Sequence, residues 1–202
     1  MRHGWRRDVL SDPIVRSGVL RERDKGKGLS ILGADVDAGL DAVNVLFGPP
    51  LHSGDVADML GLFFSSGGIH IVCGGTTAQL VADFLHKPLE IDLRYPASGL
   101  PPVGCIDGVD LVTEGVITMT KVLELSKDAL GGRLDVSFKD DDGASIVWNH
   151  LSNALEVNLF VGCAENPCNP SCGIAAGYRP VLAKELASVL SRLGKKVVAR
   201  YF

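Results

Sequence analysis

The sequence lacks the patterns that mark most membrane proteins and many enzymes. Across 202 residues, no apolar run reaches the roughly 18 to 20 residues that a membrane-spanning helix needs. There is no H-E-x-x-H zinc motif, no G-x-S-x-G nucleophile elbow and no G-x-x-x-x-G-K-[ST] phosphate loop. The basic start of the chain is not followed by the apolar segment of a secretory signal. We therefore expect a cytoplasmic protein without a membrane partner.

Composition predicts one folded domain preceded by a basic extension. The chain is 46% hydrophobic, which is enough for a packed core. The net charge of −4 is uneven, because residues 1–27 hold eight Lys and Arg against four acidic residues. That segment has a single aromatic residue, Trp5, and no groove-reading helix, so a nucleic-acid partner is not favoured. We expect residues 1–42 to form an extension and linker, and residues 43–202 to form the domain.

The cysteines are few and odd in number, which favours free thiols over disulfides. Cys163, Cys168 and Cys172 form a C-x4-C-x3-C pattern, and Cys73 ends a predicted strand at the same edge of the sheet. Thiolates gathered in this way can hold zinc or an iron–sulfur cluster. The spacing matches no established metal signature, and buried cysteines are common in cores. We therefore expect no cofactor, and these four cysteines are the alternative metal candidates.

Strands and helices alternate along the domain. Predicted strands cover residues 43–48, 69–73, 89–93, 109–113, 157–161 and 196–202, and predicted helices cover 53–66, 77–85, 116–130, 144–154 and 180–193. This alternation is typical of βαβ units. It predicts a three-layer, Rossmann-like α/β fold in which a mostly parallel sheet has helices on both faces.

The segment from Ile69 to Leu80 carries the strongest indication of function. An apolar strand stops at Gly74-Gly75-Thr76-Thr77, and a helical pattern begins at once. Such a turn places unpaired N–H groups and two hydroxyls at the positive end of a helix dipole, where phosphate binds well. Glycine and threonine are also ordinary helix caps, so a purely structural interpretation stays open.

Two further turns are expected to join this one, because the carboxyl ends of parallel strands meet at one edge. Glu114 and Gly115 follow one strand, and Asn166 lies in the loop after another. Glu114 can accept a hydrogen bond from a sugar hydroxyl or an amine, and Asn166 can donate or accept. Alternatively, Glu114 complements the dipole of its own helix, and Asn166-Pro167 is an ordinary turn.

Four segments together carry a resemblance to a known family. They are residues 45–50 (VLFGPP), 71–78 (IVCGGTTA), 101–116 (PPVGCIDGVDLVTEGV) and 193–197 (LGKKV). In this order they resemble the C-terminal appendage of certain bacterial SpoIIE-type protein phosphatases, which belong to the PPM family of serine/threonine phosphatases. The resemblance covers about residues 43–202, and the family pattern also keeps a glycine and an Asn-Pro similar to Gly162 and Asn166-Pro167.

The resemblance implies a regulatory role without catalysis. Activity in the PPM family depends on a β-sandwich whose aspartates hold two metal ions, and that domain precedes the appendage. Only 42 residues precede the matching region here, too few for that sandwich. The chain therefore looks like the appendage without its catalytic domain, either as a fragment or as a stand-alone version. The family implies a phosphatase or another protein as partner.

The leading hypothesis is a non-catalytic domain that binds a small phosphorylated molecule. Gly74, Gly75, Thr76 and Thr77 would hold the anion, and Glu114, Gly115 and Asn166 would contact the rest of the ligand. Two alternatives stay open. One is an enzyme acting on a sugar phosphate or nucleotide, with Glu114 as acid or base. The other is a protein-interaction module or homo-oligomerisation domain.

Overall fold

The computed structural model describes residues 42–91, 104–133, 143–164 and 177–202. The strands are β1 (Ala42–Phe47), β2 (Ile69–Cys73), β3 (Glu90–Ile91), β4 (Gly104–Cys105), β5 (Leu111–Thr113), β6 (Glu156–Val161) and β7 (Lys196–Tyr201). The α-helices are α1 (Val56–Ser65), α2 (Gly75–Leu85), α3 (Val116–Leu130), α4 (Gly143–Asn153) and α5 (Tyr178–Arg192), and a short 3-10 helix, Ser53–Asp55, precedes α1. Of the expected extension over residues 1–42, residues 1–41 lie outside the described residues, as do Asn166, Cys168 and Cys172, so the domain boundary stays a prediction.

The strands form one sheet in the order β3-β4-β5-β2-β1-β6-β7. The five strands from β5 to β7 are parallel, and β4 runs antiparallel to both of its neighbours. β1 is the middle one of these five strands, and β2 lies on one side of it. β3 then forms the edge of the sheet, β4 and β5 follow inward so that β5 pairs with β2, and β6 and β7 lie on the other side of β1. This is the strand order of a doubly wound sheet.

Helices cover both faces of the sheet, which confirms the predicted three-layer α/β fold. Along β1, Val45 and Phe47 pack against α3, α4 and α5, whereas Leu46 packs against α1 and α2. The centre of the sheet is therefore apolar on both faces, which explains why β1, β2 and β6 are almost continuous runs of apolar residues.

Two local differences from the sequence prediction bear on the site. Helix α2 begins at Gly75, two residues earlier than its apolar periodicity indicated, so Thr76 lies in the first turn rather than before it. A short strand, β4, lies in the segment predicted as a loop. It pairs with the edge strand β3 and with β5, and its two residues are too few for a strand period to be visible in sequence.

The described helices are all too short or too polar to cross a bilayer.

Candidate functional site

The site lies where β1 and β6 end side by side. The chain leaves β1 towards α1 on one face of the sheet, and it leaves β6 towards α5 on the other. In doubly wound sheets, this divergence opens the crevice in which ligands bind. The predicted turn at Gly74 belongs to β2, the neighbour of β1, so it borders the same edge.

Gly48, the first residue after β1, links this edge to helix α2. Its φ of +90° is a conformation that favours glycine. Its N–H donates a hydrogen bond of 3.1 Å to the Thr77 hydroxyl oxygen, and Thr77 is buried. The structure therefore gives the Thr77 hydroxyl a role within the fold, holding the end of β1 against the first turn of α2.

Arg179 places a cation at the same point. It lies in the first turn of α5, is half-buried, and donates a hydrogen bond through Nη2 to the carbonyl oxygen of Ala164, just after β6. A Cβ built on Gly48 would lie 1.8 Å from Arg179 Nη1. The guanidinium thus crosses the ends of both β1 and β6 and is in contact with the residue that also binds Thr77.

Burial lowers the pKa of the Arg179 guanidinium, and proximity to Cys163 acts in the opposite direction. No carboxylate in the described parts of the chain forms an ion pair with it. Sequence reasoning missed this residue. One signal was available, because a cation in the first turn of a helix opposes the helix dipole and therefore needs another reason to be there.

The predicted turn at Glu114 and Gly115 lies against the predicted turn at Gly74. The N–H of Gly74 donates a hydrogen bond of 2.8 Å to the carbonyl oxygen of Thr113, the last residue of β5. A Cβ built on Gly115 would lie 3.2 Å from Gly74 Cα. The two turns are therefore in backbone contact, and glycine at both positions permits that approach.

The first turn of α2 presents N–H groups at the surface. Gly75 and Thr76 are exposed, and within the described ranges no atom accepts a hydrogen bond from either N–H group. Gly74 has a φ of +111°, so the turn itself requires glycine there. At Gly75, by contrast, a Cβ would meet no described atom within 4 Å. The described fold thus requires the first glycine but leaves the second open to a ligand.

Glu114 contacts its own helix. Its Oε2 accepts a hydrogen bond of 3.5 Å from the N–H of Thr118, in the first turn of α3. This contact favours the helix-capping interpretation of Glu114, although the residue lies beside the Gly74–Gly115 contact. Asn166, in the third predicted turn, is outside the described residues.

The described cysteines do not gather into a metal site. Cys73 is fully buried, receives a hydrogen bond from the Thr113 hydroxyl at 3.5 Å, and lies 3.6 Å from Met119 Sδ. Burial raises the pKa of its thiol to about 12, so it stays protonated at neutral pH. No group of three potential metal-ligating side chains occurs among the described residues. Cys168 and Cys172 lie outside the described residues, so their part of the hypothesis stays open.

Comparison of the chain with models of known protein families, with curated proteins and with solved structures finds no match. The resemblance to the phosphatase appendage therefore stays a prediction from the sequence.

Proposed function

We propose that this domain binds a small phosphorylated ligand at the carboxyl edge of the sheet, between the first turn of α2 and Arg179. The observation that carries the proposal is Arg179, a half-buried cation at the switch point of the sheet with no carboxylate partner in the described parts of the chain. Removing a charge from water costs free energy unless an opposite charge compensates it.

The first turn of α2 supports the same class of ligand. Its exposed N–H groups, at Gly75 and Thr76, lie at the positive end of a helix dipole. Arg179 and α2 both touch Gly48, Arg179 by direct contact and α2 through Thr77. A phosphate group near Gly48 would be attracted by both, and a guanidinium and helix N–H groups are the donors that phosphate oxygens prefer.

The proposed role is regulatory and non-catalytic. The resemblance to the SpoIIE-type appendage supplies the context, in which ligand binding to this domain would alter the activity of a phosphatase partner in the bacterial cytoplasm. The hydrogen bond from the N–H of Thr118 to the Glu114 carboxylate supports this role, because it gives a structural function to the side chain that an acid–base mechanism would have used.

The test uses substitutions in the first turn of α2. Thr76→Asp adds a carboxylate where phosphate would bind, while an acidic residue in the first turn is favourable for the helix itself. Thr76→Asn is the uncharged control. Thermal unfolding with inorganic phosphate and ribose 5-phosphate measures binding, and a ligand at one hundred times its Kd adds about 2.7 kcal/mol to the stability. We expect that gain in the wild type and in Thr76→Asn, and its loss in Thr76→Asp.

Arg179 is tested separately with Arg179→Gln and Arg179→Lys. Glutamine removes the charge, whereas lysine keeps it without the forked geometry. We expect the affinity for ribose 5-phosphate to fall about tenfold or more in Arg179→Gln and less in Arg179→Lys. Equal affinity in the wild type, Arg179→Gln and Thr76→Asp would refute the proposed site.

One observation favours a second candidate, an enzyme acting on a sugar phosphate. Glu114 lies next to Gly115, which is in backbone contact with Gly74, so Glu114 belongs to a turn that adjoins the turn of the proposed anion site. Glu114→Gln distinguishes the two functions. A binding domain keeps its affinity for ribose 5-phosphate in this variant, whereas an enzyme that uses Glu114 as acid or base loses turnover of that compound.

A further inference from the structure

A groove runs along the outer surface of α2, between α2 and the start of α1. It is open to solvent, has a volume of about 470 Å³ and is lined by Val56, Thr76, Gln79, Leu80, Asp83 and Phe84. Thr76 is also part of the first turn of α2, where the proposed function places the phosphate. The groove therefore begins at the anion site and continues from it along the helix.

Aromatic rings lead to the far end of this groove. His70 stacks on Phe64 with ring centroids 5.6 Å apart, and Phe64 stacks on Phe84 at 6.2 Å with an angle of 3° between the ring planes. Phe84 is the outermost ring and is 40% exposed. A planar aromatic group in the groove would extend this stack, which an aliphatic chain would not do as well.

The polar groups of the groove suit a heterocycle. Gln79 Nε2 donates a hydrogen bond of 2.8 Å to Asp83 Oδ1, and both side chains lie on the exposed surface of α2. The Gln79 carbonyl oxygen and the Asp83 carboxylate can still accept hydrogen bonds. The amino and ring N–H groups of a nucleobase are donors of the matching kind. The rest of the lining is apolar, at Val56, Leu80 and Phe84.

The length of the groove fits such a ligand. Thr76 and Phe84 are eight residues apart on one helix, which is about 12 Å at a rise of about 1.5 Å per residue. That is roughly the reach of a nucleoside monophosphate from phosphate to the far edge of the base.

We propose that the ligand of this domain is a nucleotide, whose phosphate binds at the first turn of α2 and whose base stacks on Phe84 in the groove. The inference rests on the proposed function, because the phosphate site is the same. It adds the chemical class of the ligand and a second set of contacts, at Gln79, Leu80, Asp83 and Phe84.

The experiment compares ligands with and without a base. Calorimetry measures the affinities of the four common nucleoside monophosphates and of ribose 5-phosphate for the wild-type chain. We expect at least one nucleotide to bind about tenfold more tightly than ribose 5-phosphate, since stacking of a base on an aromatic side chain contributes on this scale. Equal affinities would overturn the inference while leaving the phosphate site intact.

The variant Phe84→Ala tests whether the base of the nucleotide binds at Phe84. Phe84 is partly exposed, so its truncation should leave the fold stable, which circular dichroism verifies. We expect the variant to lose the advantage of the nucleotide and to keep the affinity for ribose 5-phosphate. Leu62→Ala, at a similarly exposed apolar position of α1 that does not line the groove, is the matched control and should change neither value.

Two further outcomes would overturn the inference. If Leu62→Ala weakens nucleotide binding as much as Phe84→Ala does, the base does not stack in the groove and the inference is wrong. If neither nucleotides nor ribose 5-phosphate bind to the wild type, the proposed function itself fails, and the inference fails with it.

Discussion

Gly48 and Arg179 are in direct contact at the carboxyl end of β1. The guanidinium lies so close to Gly48 that a Cβ there would be 1.8 Å from Nη1, and the φ of +90° at Gly48 is itself a glycine conformation. One glycine thus provides both the turn after β1 and the space for the cation. The contact joins β1 to the first turn of α5, two elements separated by most of the domain sequence.

Gly48→Ala should destabilise the protein by about 1 to 3 kcal/mol, chiefly because alanine is strained at this φ, and in smaller part because its methyl group would displace the flexible end of the Arg179 side chain. Urea unfolding measures the change. The double variant with Arg179→Ala should recover the part of the loss that comes from the overlap, and leave the part that comes from φ. Strictly additive losses would show that the two residues are not in contact.

Loss of the hydroxyl should lower the stability of the protein at Thr77 but hardly at its neighbour Thr76. Thr77→Val leaves the buried N–H of Gly48 without its acceptor, so we expect a loss of about 1 to 3 kcal/mol in chemical denaturation. Thr76 is exposed, and Thr76→Val should change the stability by less than about 0.5 kcal/mol. Similar losses in both variants would contradict the contact between Gly48 and Thr77.

Cys73 should make the stability fall at high pH. The pKa of its thiol is about 12 in the folded protein against an ordinary value of 9.0, so only the unfolded chain releases this proton between those values. Its contribution is fully present below pH 9 and is lost as the pH rises towards 12, with a slope of up to about 1.4 kcal/mol per pH unit. Cys73→Ala should remove this part of the pH dependence when unfolding is followed between pH 8 and 10.5. An unchanged slope would show that Cys73 is not the titrating group.

The contributions of Asn44 and Asn158 to the free energy of unfolding should be coupled. They lie opposite each other in β1 and β6, both buried, and Asn158 Nδ2 donates a hydrogen bond of 3.2 Å to Asn44 Oδ1. Asn158→Leu deprives that oxygen of its donor and should cost about 1 to 3 kcal/mol. The double variant Asn44→Leu/Asn158→Leu, analysed as a double-mutant cycle by urea unfolding, should lose less than the sum of the two single variants. Additive losses would indicate that the pair contributes no coupling.

The sequence predicted most of the fold because the elements are strongly patterned. The limits of β2 and α3 agree with the prediction to the residue, since each is a clear apolar period bounded by glycine or a polar turn. The start of α2 was placed two residues late because Gly75 and Thr76 carry no apolar periodicity, and the short β4 was missed for the same reason.

The candidate site was predicted only in part. The exposed turn at Gly75 and Thr76, and its contact with the turn at Gly115, followed from the rule that parallel strands end at one edge. The roles of Thr77 and Glu114 did not follow, because each makes a hydrogen bond within the fold whose partner the sequence does not indicate.

The α/β class, and a helix N-terminus rich in glycine and threonine, could be read from the sequence, because both depend on local periodicity and local turn chemistry. Which turns adjoin depends on how the strands are ordered in the folded chain. That order places β1 between β2 and β6, and so brings Arg179, near the end of the chain, onto Gly48, near its first strand. Strand order is set by long-range packing rather than by local pattern, and the cation of the proposed site therefore became apparent only in the folded chain.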